Sequence, residues 1–108
     1  MKQVFGGGGA GEESGGLFGM TMEHVFSEVW SRDTLSDRER RLLLLGLLVG
    51  EGLDDVIELH LDTALRAGEL TPDELRETVV FLTLYAGWPR AAKLSGQVEE
   101  LIARHTGT

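Results

Sequence analysis

The sequence predicts an all-α fold of about five helices, and three observations carry that reading. Apolar residues recur at steps of three and four along several segments. Two segments open with helix-start chemistry, Ser36-Asp37-Arg38-Glu39 and Thr71-Pro72-Asp73-Glu74. No stretch alternates convincingly at the period of a strand.

The first helix is expected at about Thr21 to Ser31, with Met22, Val25, Phe26, Val29 and Trp30 at helical spacing. Asp33-Thr34 makes the turn after it. The second starts at Ser36, whose hydroxyl can accept from the Glu39 amide while the Glu39 carboxylate returns the bond. It continues through the run Leu42 to Val49 and ends at Gly50 and Gly52. A helix apolar nearly all round must be covered on several sides. The third runs from about Leu53 to Ala67. Its face of Leu53, Ile57, His60, Ala64 and Ala67 places an imidazole in mid-stripe, and Gly68 suits a left-handed end. The fourth begins after Thr71, with Leu75, Val79, Leu82 and Ala86 on one face and Val80, Phe81 and Leu84 widening it; Gly87 stops it. Trp88-Pro89 opens the fifth, which carries Ala91, Ala92, Leu94, Val98, Leu101 and Ile102. Two helices apolar on more than one side exceed what one small monomer can bury, so the surplus is expected between subunits.

The chain of 108 residues is sized for one domain. Eight of its fifteen glycines fall in the first nineteen residues, so residues 1–19 are expected to be a flexible arm and residues 20–108 the folded domain. A net charge of -8 argues against a nucleic-acid binder, which needs a basic face. The run Leu42 to Val49 is too short to span a bilayer, and no hydrophobic signal region follows Lys2, so a cytoplasmic location is expected. The absence of cysteine removes disulfides, thiolate nucleophiles and cysteine–metal sites together.

His60 admits two readings. It is a core histidine satisfied by a carbonyl or carboxylate, or it is a general acid or oxyanion donor, since its ring titrates near neutrality. Glu28 reads by default as an exposed helix carboxylate. Arg38, Arg40 and Arg41 lie where the helix dipole favours anions. They are either solvated, or at least one points inward to hold a carboxylate in its planar fork. His24, His60 and His105 fall on three different helices without ligand spacing, so no metal site is expected. The glycine run lacks the Lys-Ser/Thr ending of a phosphate loop.

From Glu28 onward the chain resembles the carboxymuconolactone decarboxylase family. The resemblance rests on Glu28-Val29-Trp30-Ser31-Arg32, Arg38-Glu39-Arg40, Leu59-His60 and Ala64-Leu65-Arg66-Ala67-Gly68. Thr71 to Glu77 and Tyr85-Ala86-Gly87-Trp88-Pro89 complete it, so it covers most of Glu28 to Ala92. It implies an all-helical fold with a central helical hairpin, assembled as a trimer or hexamer. The peroxide-reducing branch of the family uses a Cys-x-x-Cys motif ahead of the histidine. This chain has Gly52-Leu53-Asp54-Asp55-Val56 there and no thiolate for that chemistry. The other branch decarboxylates 4-carboxymuconolactone within aromatic-compound degradation. That reading makes the partner a small carboxylated lactone, with no metal or organic cofactor, because the substrate's conjugated carbonyl is the electron sink. It implies that His60 donates to the oxyanion or reprotonates carbon and that Glu28 orients it or shuttles the proton. Arg40 or Arg38 holds the carboxylate, and Trp30, Tyr85 and Trp88 wall the pocket. Ser27, in place of a usual glycine, and Asp62, in place of a common basic residue, depart from the branch. The alternative function is a non-catalytic or differently specific small-molecule-binding member of the same fold.

Overall fold

The computed structural model describes residues 16–106. Residues 1–15 of the expected arm lie outside the described residues, and residues 16–19 of it begin the first helix. The helices are α1 (Gly16–Trp30), α2 (Asp37–Glu51), α3 (Asp54–Arg66), α4 (Pro72–Ala86) and α5 (Trp88–Thr106). No strand occurs among the described residues, and the all-α class is as expected.

Both helix starts are built as their sequences dictate. The Glu39 amide donates to Ser36 Oγ at 3.0 Å, and the Ser36 amide donates to a Glu39 carboxylate oxygen at 2.7 Å. The Thr71 and Glu74 pair repeats this at 3.1 and 2.9 Å. Each reciprocal pair satisfies two amides that have no partner inside the helix, and a cap of this kind is typically worth about 1 kcal/mol. α2 ends where Gly52 takes φ 72°, a left-handed turn that a side chain would strain. Arg90 of α5 donates to the Gly50 carbonyl there, pinning that end of α2.

α2 packs on α3, and α4 packs on α5 across the single-residue link Gly87. The two pairs share one core. Leu45, Leu48 and Val49 come from α2; Ile57, Leu61 and Ala64 from α3; Leu70 and Leu75 from the next turn and α4; Leu94, Val98, Leu101 and Ile102 from α5. Each enclosed leucine contributes about 2 kcal/mol by leaving water. Arg76 holds Glu99 at 2.9 and 3.0 Å, tying the rim of α4 to α5.

The surplus apolar surface expected from the sequence is present on the single chain. Leu43 and Leu47 on α2, and Val80, Phe81, Leu84 and Tyr85 on α4, are all exposed. The stripe expected to bury α1 is also largely open. Met22, Val25 and Val29 are exposed, and Trp30 at its end is buried. Among the described residues, no helix is long and apolar enough to cross a membrane.

Candidate active site

The capping box fixes where α2 begins, and that decides where its arginines go. Successive residues of a helix are separated by about 100° around the axis, so Arg38, Arg40 and Arg41 leave the first turns on different faces. Arg38 reaches outward to Glu74 at 2.8 Å. Arg40 turns back under the α1–α2 loop and donates to the carbonyls of Leu35 (2.6 Å), Arg32 (2.8 Å) and Trp30 (3.3 Å). Arg41 points into the protein and is fully buried.

Arg41 meets His60 from the middle of α3. The third helix has the inward face read from the sequence over its centre, with Ile57, His60 and Ala64 all buried. Arg41 Nη1 lies 2.5 Å from His60 Nδ1. The other edge of the guanidinium holds Glu69, with Nε to Oε1 at 2.7 Å and Nη2 to Oε2 at 3.2 Å. Its carbon sits 4.7 Å from the centre of the Trp30 ring, within cation–π range.

Glu69 arrives by a short turn. After α3, Gly68 adopts φ 71°, and the amides of Glu69 and Leu70 return to the Ala64 carbonyl at 3.0 and 3.3 Å. Leu70 is then buried as an anchor, and Glu69 is directed back toward α2.

This arrangement fixes the chemistry of His60. A guanidinium can only donate, so Nδ1 must accept, and a neutral ring then carries its proton on Nε2. Burial, and then the neighbouring Arg41 charge, lower the imidazole pKa from 6.5 to about 4. Near neutral pH His60 is therefore an uncharged, buried ring protonated at Nε2. It can polarise an oxygen where negative charge develops, but it holds no second proton to give away.

Of the site residues expected from the sequence, the fold gathers His60 and Trp30 around Arg41. Arg40 braces the loop behind Trp30. Glu28 and Arg38 face solvent, and Tyr85 and Trp88 are 75% and 76% exposed in the single chain. Tyr85 packs its ring against Phe81 at 5.1 Å. Asp62 is engaged by Arg66 at 2.8 Å and His105 at 2.9 Å. Burial alone would raise its pKa, yet those two partners outweigh burial and lower it, so its charge is compensated at the α3–α5 edge. Glu69 is the functional candidate that the sequence does not single out, and Arg41 is the one of the three arginines that points inward and holds a carboxylate, that of Glu69. The signal for Arg41 was present: it lies four and seven residues before Leu45 and Leu48, on the same inward face.

The family model for the carboxymuconolactone decarboxylase family matches residues 16–100. The chain is 34% identical over 77 residues to the 4-carboxymuconolactone decarboxylase of Acinetobacter baylyi, a match covering 71% of this chain and 57% of that protein. It is 36% identical over 67 residues to the nitrosuccinic acid decarboxylase npaB of Metarhizium robertsii, covering 62% of this chain and 46% of that protein. The chain thus spans about half the length of the curated relatives it matches. No solved structure matches it.

Proposed function

This chain belongs to the carboxymuconolactone decarboxylase family, and from that premise we propose that it is a cofactor-independent decarboxylase acting on a small carboxylated lactone. The observation that carries the reading is His60, buried, with Nδ1 on the Arg41 guanidinium and its pKa lowered to about 4; in this reading its Nε2–H is the donor. The names of both relatives describe decarboxylases, which supports the reaction class.

In the proposed reaction the bond between ring carbon and carboxylate breaks and CO2 leaves. Its electron pair moves through the ring alkene onto the lactone carbonyl, forming a dienolate. His60 Nε2–H donates to that oxygen, whose charge grows in the transition state. One preorganised donor of this kind is typically worth roughly 3–4 kcal/mol of barrier. The dienolate then takes one proton on carbon and the carbonyl re-forms, so the reaction consumes one proton per CO2 released. A neutral His60 does not supply that proton, and Glu28 is assigned the role of relaying it from solvent. Arg38 is assigned the substrate carboxylate in preference to Arg40. Its partner is an exposed Glu74, a contact worth little and readily exchanged, whereas Arg40 is committed to three carbonyls.

Self-association as a trimer or hexamer completes the pocket in this reading. The exposed rings of Tyr85 and Trp88, with Leu43, Leu47 and Leu84, are the apolar area that subunit contact would remove from water. CO2 release from 4-carboxymuconolactone, measured for the unmodified protein and His60→Ala side by side, tests the reading. Turnover that falls by about 100-fold or more with His60→Ala supports it. Equal turnover in the two proteins removes His60 from the mechanism, and no turnover by either removes this substrate.

A further inference from the structure

We infer that Arg41 and Glu69 form a positioning pair that locks His60 in one orientation and one tautomer, with Nδ1 accepting and Nε2 bearing the proton. A buried arginine at this place asks for an explanation. Arg41 stands on the same inward face as Leu45 and Leu48, where a leucine or methionine would fill the space without bringing a charge out of water. What arginine adds is a rigid plane with donors on separate edges. Glu69 takes the Nε and Nη2 edge with both carboxylate oxygens, and Trp30 lies against the guanidinium at 4.7 Å. Those contacts fix the plane, and Nη1 is thereby aimed at Nδ1 at 2.5 Å. A lysine could supply the charge but has no plane to transmit the alignment.

Neither residue touches the reacting atoms in this scheme. Glu69 positions Arg41, and Arg41 positions His60. The tautomer is a property of the folded protein, whereas its catalytic consequence rests on the decarboxylase reading above. The two are separable by experiment.

The test is the imidazole nitrogen spectrum of His60 in the ¹⁵N-labelled full chain at pH 7, assigned by its loss in His60→Asn. Long-range couplings distinguish Nε2, which couples to both ring carbon protons, from Nδ1. The expected result is a protonated-type Nε2 and an unprotonated-type Nδ1 in a single form. In Glu69→Gln, where the guanidinium loses the clamp that aims Nη1 at Nδ1, the ring becomes a mixture of tautomers. Where turnover is measurable, kcat falls by about 10–100-fold, as for other groups that orient a functional histidine. KM changes little.

Removing Arg41 alone strands a mostly buried glutamate and endangers the fold, so the double variant Arg41→Met/Glu69→Leu separates the two roles. Replacing both partners by apolar side chains spares stability. A purely structural pair would then leave the tautomer of His60 unchanged, whereas a positioning pair leaves it mixed. The inference is overturned by a proton on Nδ1 in the unmodified protein, by a charged ring at pH 7, or by a double variant that keeps the single Nε2–H form. If no substrate is turned over, the decarboxylase reading fails while the spectrum still decides the lock.

Discussion

Two ion pairs leave the first turns of α2, and they teach opposite things about a salt bridge. Arg38 meets Glu74 at 2.8 Å with the side chains 47% and 40% exposed. Arg41 meets Glu69 at 2.7 Å with the side chains 0% and 12% exposed. The distances are nearly equal, so distance does not set their worth. Water does. The outer pair is solvated before and after it forms, and its net contribution is small. The inner pair has given up its hydration, so each partner depends on the other, and losing one leaves an uncompensated buried charge. The outer arginine is therefore free to exchange partners, which suits a residue assigned to a substrate carboxylate. The inner one is fixed, which suits a residue that aligns His60.

The sharpest way to break the comparison is to remove each arginine in turn. Arg41→Met is expected to destabilise the fold by about 3–5 kcal/mol, read as a lower midpoint in urea unfolding. Acid comes next. His60 titrates near 6.5 when unfolded and at about 4 in the fold, so between those values the unfolded chain binds more protons. The stability that this histidine contributes is complete above pH 6.5 and is lost as pH falls toward 4, amounting to about 3 kcal/mol. Unfolding midpoints followed from pH 7 to pH 4 check this, and in His60→Asn that part of the slope should vanish. Ser36→Ala removes the cap that sets the direction of all three arginines and is expected to cost about 1 kcal/mol. Arg38→Met should cost less than about 1 kcal/mol, since its pair is exposed. An Arg38 variant as damaging as the Arg41 variant would erase the distinction between the two pairs.

Much of this was legible in the sequence, and the parts that were not have physical reasons. The caps at Ser36 and Thr71 act through residues three apart, so local sequence carries them whole. The inward face of α3 was visible because helical period alone decides it. Periodicity places the start of α1 at about Thr21, but it lies at Gly16, since glycine-rich sequence gives no periodic signal from which a helix can be extended backward. The apolar stripe of α1 was visible too, yet Val25 and Val29 remain 46% exposed, because period shows which residues share a face and not what covers it. Glu69 was hidden for a different reason. It follows Gly68, and the fold-back that carries it to Arg41, 28 residues earlier, belongs to a turn rather than to any repeat. Arg41 was obscured by its neighbours: three arginines within four positions read as one charged cluster, while the helix sends them to different environments.

The most direct measurement is the pH dependence of kcat/KM for CO2 release from 4-carboxymuconolactone. His60 working as a neutral donor predicts rates that stay level from pH 8 through pH 6 and decline only as the ring protonates near pH 4. A decline centred near 6.5, or activity that rises as His60 becomes charged, would contradict the account.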